Sequence, residues 1–106
     1  IEGIALPAFM AGDKGCVSGL ANAFPELMVQ LWDTYTAGDY EEAARLQLRV
    51  VKARKHLHIP ASTNAACYTV LRARGIDAGV PKAPILPVAD DKAAAMLAAF
   101  EAMGLL

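Results

Sequence analysis

The chain has 106 residues, enough for one small domain. Its formal net charge is -1, from 10 basic and 11 acidic residues, which gives no general attraction to nucleic acid or to an anionic membrane. Apolar residues make up 56% of the chain and the mean hydropathy is +0.33. So short a chain does not easily bury that much apolar surface, so we expect it to pack against further protein. No apolar run approaches the ~20 residues of a membrane span.

The first 24 residues contain a short predicted helix, a turn and the single strand candidate. Residues 3–11 can form a helix with Pro7 in its first turns, and Gly-Asp-Lys-Gly at 12–15 predicts a turn. Cys-Val-Ser-Gly-Leu at 16–20 then indicates a short strand. A lone strand leaves both edges unpaired, so we expect its partner strands to lie outside these residues.

Four stretches with helical periodicity follow, at about residues 25–37, 39–59, 62–75 and 90–103. Pro25 suits the first turn of the first one. Asp39, with Glu42 three residues later, predicts a capping box at the start of the second. Residues 79–88 contain three prolines and cannot be helical. We interpret this proline segment as a connection that holds the last helix against the rest of the protein, rather than as a motif that recruits a partner domain.

The chemically reactive side chains form no recognisable site among themselves. Cys16 and Cys67 lie in apolar sequence without a secretory segment, so we expect them to be reduced and buried in a cytoplasmic protein. His56 and His58 are two residues apart, point in different directions on a helix and predict no metal site.

A basic stripe lies on the second predicted helix. Arg45, Arg49 and Lys52 share one face, which in principle suits phosphates. Acidic residues begin the same helix, however, and acid at the start with base at the end suits the helix dipole. A solvated or subunit-facing stripe is the better interpretation, and we expect no nucleic-acid or membrane partner.

Three segments in order resemble the dihydrodipicolinate synthase/N-acetylneuraminate lyase family of pyruvate-dependent class I aldolases. They are AGDKGCVSGLAN at 11–22 with Phe-Pro-Glu-Leu at 24–27, then AGD with EAARLQ at 37–47, and GVPKAPILP at 79–87. In the last segment Lys82 stands where the family usually has Arg. Together the three segments cover essentially the whole chain.

The resemblance implies an α/β fold, of which this chain is the C-terminal portion: the end of a TIM (β/α)8 barrel plus a three-helix C-terminal domain, mostly α with one strand. Residues 1–37 would complete the barrel, with strand eight at about 15–20 and the final barrel helix at about 25–37. Residues 38–106 would form the helical domain. A barrel needs on the order of 200–250 residues, so we expect the rest of the barrel as a partner, and a homotetramer as in the family.

The resemblance also implies a lyase that forms or cleaves a carbon–carbon bond next to pyruvate or another 2-keto acid, through a lysine Schiff base and without a cofactor. The family's lysine, tyrosine and threonine pair lie on earlier segments, so we predict no catalytic residue and no metal in this chain. Residues 19–22 resemble the synthase branch more than the sialate lyase branch. The chemistries of dihydrodipicolinate synthase, of a 2-keto-3-deoxy-acid aldolase or dehydratase, and of N-acetylneuraminate lyase all stay open.

Four residues are predicted to bind substrate. Val17 aligns with a strand-eight position that borders pyruvate in the family, and Gly15 and Ser18 flank it. Glycine there permits close approach of a ligand, although it can equally just relieve crowding. Glu2 falls in the loop after strand seven, where relatives place acidic or polar residues near substrate hydroxyls.

A non-catalytic helical association module is the alternative. It predicts that residues 1–24 are helical or flexible. The barrel interpretation predicts instead that residues 16–20 are extended and that their hydrogen-bonding partners are absent or lie on another chain.

Overall fold

The computed structural model describes all 106 residues and consists of helices and loops, with no strand. Helices α1 to α5 span Ala5–Met10, Pro25–Thr36, Tyr40–His58, Thr63–Ala73 and Asp90–Ala102. Short 3₁₀ turns lie at Glu2–Ile4 and Leu20–Asn22. The chain divides into two compact units, residues 1–54 and 55–106. None of the helices combines the length and the apolar character that crossing a membrane requires.

In the first unit, aromatic side chains join α1 to α2. The ring of Phe9 meets Trp32 edge to face with the centroids 4.9 Å apart, and it lies 5.8 Å from the ring of Tyr35. The Tyr35 hydroxyl donates a hydrogen bond of 3.0 Å to the Phe9 carbonyl oxygen. Such edge contacts add to simple burial, so a helix of only six residues is held firmly against α2.

The helix starts follow the sequence prediction closely. Pro25 occupies the first turn of α2. The Asp39 carboxylate accepts a hydrogen bond from the Glu42 N–H at 3.2 Å at the start of α3. The Asp39 N–H donates to the Thr34 carbonyl oxygen instead of to the Glu42 carboxylate, which contacts Arg45. Only one of the two hydrogen bonds of the predicted capping box therefore forms. The Ser62 hydroxyl caps α4 in the same way, by accepting from the Ala65 N–H at 3.1 Å.

In the second unit, α4 packs against α5. Their facing side chains are fully or almost fully buried, and the core includes Ala66, Val70, Met96 and Phe100. Residues 79–88 are not helical, as the prolines predict. The Arg72 guanidinium donates to the Gly79 carbonyl oxygen at 3.0 Å and holds the start of this segment near the end of α4.

The predicted strand at 15–20 is absent, and the fold of these residues is therefore all-α rather than α/β. Gly19 has helical dihedral angles, φ -64° and ψ -38°, and Leu20 begins a 3₁₀ turn. A strand persists only when its backbone groups are paired with a neighbouring strand, and none of the 106 residues supplies one. The fully buried side chains of Leu20 and Phe24 instead draw the chain into a turn that leads to α2.

Candidate functional site

Residues 13–18, which lie within the first of the three family-like segments, form a loop that is mostly exposed. It begins where α1 ends: Gly12 has a φ of 111°, and the Asp13 N–H donates to the Ala8 carbonyl oxygen at 3.0 Å. That pattern reverses the chain direction and requires a residue without a Cβ. Gly15 and Val17, further along the loop, are exposed to solvent, and the exposed fraction of Val17 is 98%.

Ser18 ends this loop and has a structural partner. Its hydroxyl oxygen accepts a hydrogen bond of 3.1 Å from the Ala21 N–H, which caps the 3₁₀ turn. The Asn22 side chain adds a 3.3 Å bond to the Gly19 carbonyl oxygen. The hydroxyl hydrogen of Ser18 remains available for a further bond, because a hydroxyl both donates and accepts.

Gln47 ties the start of the chain to α3. Its side-chain oxygen accepts a hydrogen bond from the Leu6 N–H at 2.7 Å. Its amide nitrogen donates to the carbonyl oxygens of Glu2 and Gly3 at 3.0 and 3.1 Å. One buried side chain therefore satisfies three backbone groups that the short N-terminal turns leave open.

Glu2 carries a buried carboxylate next to a guanidinium. Its side chain is only 6% exposed, and Oε1 lies 3.6 Å from Nε of Arg54 on α3. Nε of Arg54 is itself buried and has no hydrogen-bond partner. The carboxylate and the guanidinium attract each other by charge, but these two atoms form no hydrogen bond. Nε of Arg54 can therefore still donate a hydrogen bond, and Oε1 of Glu2 can still accept one.

Cys16 lies near enough to the chain start for charge to act on its thiol. Partial exclusion of water raises the pKa of Cys16, and the Glu2 carboxylate raises it further. Cys16 is exposed, so the prediction that it is buried is wrong: the loop around it packs against nothing that could cover it. Cys67 is buried as expected, and neither cysteine forms a disulfide bond.

The predicted substrate-binding residues fall into two groups. Gly15, Val17 and Ser18 lie together on the loop, with Gly15 and Val17 exposed and Ser18 half-buried. Glu2 is turned toward Arg54 and is buried. A Cβ added at Gly15 would meet no atom within 4 Å, so crowding inside this chain does not explain the glycine.

None of the lysines or tyrosines lies in an enclosed site. All five lysines are exposed: Lys14, Lys52, Lys55, Lys82 and Lys92. A Schiff-base lysine needs burial or a neighbouring cation to make its amine reactive. The Tyr35 hydroxyl donates a hydrogen bond to the Phe9 carbonyl oxygen. The ring of Tyr40 lies tilted against the ring of Tyr35, with the centroids 6.0 Å apart.

The histidines occupy different surroundings in the second unit. His58 Nδ1 lies 2.7 Å from the Thr63 hydroxyl oxygen, and the ring of His56 meets Phe100 edge on with the centroids 6.1 Å apart. No group of three or more His, Cys, Asp or Glu side chains is arranged to hold a metal ion. A cleft of about 290 Å³ lies beside His56, and its remaining lining is Ile59, Pro60, Lys92, Ala95 and Met96.

Sequence reasoning missed the roles of Gln47 and Arg54. Gln47 lies within the apolar stripe of the second predicted helix, next to Leu46 and Val50, and Arg54 lies two turns further along the same side. A polar residue inside an apolar stripe was the available signal, because a buried amide has to find partners.

Comparison with known proteins identifies the family. The sequence profile of the dihydrodipicolinate synthetase family matches residues 1–103. An uncharacterized DapA-like lyase from Halobacterium salinarum is 35% identical over 105 residues, which are 99% of this chain and 34% of that protein. The structure of a dihydrodipicolinate synthase from Bacillus anthracis superposes with a TM-score of 0.83 at 25% identity, over 94% of this chain and 34% of that one. An N-acetylneuraminate lyase from Proteus mirabilis gives a TM-score of 0.82 at 26% identity, over 100% of this chain and 36% of that one.

The chain therefore belongs to the dihydrodipicolinate synthetase family, as its three motifs predict. Its helices match the C-terminal helical part of the family's barrel fold. It spans 34% of the length of the Halobacterium relative, so the complete barrel is not contained in these residues.

Proposed function

We propose that these residues are the C-terminal portion of a lyase that forms or cleaves a carbon–carbon bond next to pyruvate or another 2-keto acid. The observation that carries the proposal is the family match over residues 1–103, in a chain that spans 34% of a relative's length. The bond would be activated by a Schiff base on a lysine, in which the amine adds to the keto carbon and water leaves. The exposure of all five lysines supports a catalytic lysine outside residues 1–106.

In this proposal residues 1–37 end the barrel and residues 38–106 form its helical domain. Residues 15–20 become strand eight when the missing strands pair with them. The 98% exposure of the Val17 side chain supports this, because covering an apolar side chain that lies fully in water stabilises the protein. Val17, Ser18 and Gly15 then border the substrate at the end of the strand, and Glu2 lies near its hydroxyl groups.

The partners follow from the same argument. They are the rest of the barrel, a 2-keto acid substrate and further copies of the protein, in the cytoplasm. The apolar side chains that stay exposed, among them Met10, Val29 and Leu48, support an assembly larger than this chain.

Borohydride trapping with pyruvate on the natural-length protein tests the chemistry. Borohydride reduces the imine, so the adduct is permanent and mass spectrometry locates it. We expect a protein longer than 11.2 kDa with one adduct on a lysine outside residues 1–106. An adduct on one of the five lysines described above would overturn the claim that the catalytic lysine is missing, and a longer protein with no adduct would overturn the chemistry.

A helical association module without catalysis is the second candidate, and the exposed apolar side chains favour it as much as they favour the lyase. The same trapping experiment separates the two. The module forms no pyruvate adduct at any length.

A further inference from the structure

Helix α3 contacts Glu2 and its neighbour Gly3 at three points. The Gln47 amide donates to the carbonyl oxygens of Glu2 and Gly3 at 3.0 and 3.1 Å. A Cβ built at Gly3 would lie 3.9 Å from Cδ of Arg54, so the aliphatic stem of Arg54 runs beside the Gly3 backbone. The guanidinium of Arg54 ends at the Glu2 carboxylate, with Nε 3.6 Å from Oε1. Both the backbone and the carboxylate of Glu2 are therefore fixed from α3.

Gln47 and Arg54 lie on the same face of α3, about two helical turns apart. Because a helix is rigid over two turns, the distance between the Gln47 amide and the Arg54 guanidinium is set by α3 itself. Groups presented by a helix are held more precisely than groups presented by a loop. The backbone at residues 2–3 and the Glu2 carboxylate are therefore placed together, by one element.

Stability alone does not explain the Glu2–Arg54 pair. Its separation of 3.6 Å exceeds the roughly 2.7–2.9 Å of a charge-assisted hydrogen bond. Nε of Arg54 is buried without a hydrogen-bond partner, and the Glu2 side chain is only 6% exposed. Charges taken out of water cost free energy unless their partners are well placed. Buried polar groups with incomplete bonding are exceptions in folded proteins, and functional sites are one place where they occur.

The charge of Glu2 acts on the loop that carries the other predicted substrate-binding residues. Burial raises the pKa of the Cys16 thiol, and the Glu2 carboxylate raises it further. Cys16 directly precedes Val17, which the proposed function places beside the keto acid. The Glu2 carboxylate therefore lies close enough to this loop for its charge to act where the substrate would bind.

The Glu2 carboxylate can bind hydroxyl groups of a ligand. An ionised carboxylate has about four acceptor positions and no donor, so its ligands have to be donors such as hydroxyl groups. The contact with Arg54 forms no hydrogen bond at Oε1. The strength of a hydrogen bond to a ligand depends steeply on distance and angle. A residue that fixes the carboxylate therefore decides how tightly those hydroxyl groups are bound.

We propose that Arg54 is a positioning residue for Glu2, and that through it α3 sets the affinity for keto acids that carry hydroxyl groups beyond the keto carbon. The inference rests on the proposed function, in which Glu2 lies near those hydroxyl groups. It adds that substrate preference is determined in part from the helical domain, by a side chain that acts through Glu2. Pyruvate has no hydroxyl group, so its binding does not depend on Arg54.

Borohydride trapping of the natural-length protein with two keto acids tests this inference. Pyruvate lacks hydroxyl groups, whereas 2-keto-3-deoxygluconate carries several beyond its keto carbon. Adducts on the same lysine are counted, including the pyruvate adduct left after cleavage of the sugar acid, and the concentration of keto acid that gives half-maximal trapping is measured. In Arg54→Gln this concentration should rise about tenfold for the sugar acid and stay within about twofold for pyruvate, since only bonds to hydroxyl groups weaken.

Three further variants separate positioning from a general effect on the fold. Arg54→Lys keeps the charge but not the fork of the guanidinium, so it should raise only the value for the sugar acid, by about threefold. Lys52→Gln removes an exposed cation of α3 and is the matched control, which should change neither value. Arg54→Gln combined with Glu2→Gln should bind the sugar acid no more weakly than Glu2→Gln alone, because Arg54 acts through Glu2.

An equal rise for the two keto acids in Arg54→Gln and Arg54→Lys would overturn the inference, because a merely structural role weakens both. So would an unchanged value for the sugar acid in these variants, or an unsubstituted protein that is trapped by pyruvate and not by the sugar acid. Each of these results leaves the proposed function standing. The absence of an adduct with either keto acid removes the proposed function, and the inference with it.

Discussion

At the residue scale, the fold of the first unit depends on a single polar side chain. Gln47 is buried among apolar neighbours, and each end of its amide is hydrogen-bonded to the start of the chain. A buried amide without partners is costly, whereas a fully bonded one fixes a unique arrangement. Gln47 therefore determines where the 3₁₀ turn and α1 sit on α3.

Gln47→Ala should lower the free energy of unfolding by about 2–3 kcal/mol, because it removes three hydrogen bonds and leaves buried backbone groups unpaired. Urea denaturation measures the change. Gln30→Ala on the exposed side of α2 is the control and should cost less than about 0.5 kcal/mol. Equal losses in the two variants would contradict the role of Gln47.

The Glu2 carboxylate is expected to act on the Cys16 thiol. A negative charge nearby disfavours the thiolate, so Glu2 raises the pKa of Cys16 and Glu2→Gln should lower it. The fraction of thiolate at a given pH then increases, and the pH midpoint of iodoacetamide alkylation moves to lower pH. The shift should be modest, because burial is the larger cause of the raised pKa. Glu101→Gln in the second unit should leave the midpoint unchanged.

At the scale of the helix, short-range signals define the ends of the elements. Gly38 adopts a φ of 84° after α2, and Asp39 caps α3 at once. The two helices are therefore joined by only a few residues, each with a defined conformational role. The Asp39 N–H donates to the Thr34 carbonyl oxygen at the end of α2, so Asp39 stabilises both the end of α2 and the start of α3.

Asp39→Ala should cost about 1 kcal/mol in unfolding free energy, since it removes the side-chain acceptor for the Glu42 N–H. Thermal denaturation followed by circular dichroism reports the loss. Asp33→Ala, at an exposed position within α2, should be neutral or slightly stabilising because alanine favours helices. A neutral Asp39→Ala variant would show that the cap contributes nothing to stability.

At the scale of the whole molecule, the chain spans 34% of the length of the Halobacterium relative, and residues 13–18 form a loop. Helix α1 and the 3₁₀ turn Leu20–Asn22 are ordered on either side of residues 13–18, yet the loop itself packs against nothing that covers Cys16 or Val17. In the proposed barrel this is where the neighbouring strands lie.

Val17→Asp distinguishes the two settings. In the 106-residue chain it should leave the unfolding free energy within about 0.5 kcal/mol, because the side chain is 98% exposed. In a natural-length barrel it buries a charge on a strand and should lower the melting temperature and abolish pyruvate trapping. Val80→Asp, exposed in the second unit, is the control and should be tolerated in both. Full tolerance of Val17→Asp at natural length would contradict the strand-eight assignment.

The sequence by itself determined the family and most of the helices. The starts of α2, α3 and α4 at Pro25, Tyr40 and Thr63 were predictable because helix hydrogen bonds and caps join residues only three or four apart. The conformation of residues 15–20 was not, because a strand is stabilised by partners distant in sequence, and none of the 106 residues supplies one.

Only the tertiary structure decided which polar groups are buried. It brings the Gln47 amide to the backbone carbonyl oxygen of Glu2 and the Arg54 guanidinium to the Glu2 carboxylate, although both residues lie more than 40 positions after Glu2 in the sequence. It also leaves Cys16 and Leu48 in water. Local sequence carries the pattern of a helix, but burial depends on which surfaces meet, and that is set by the packing of the whole unit.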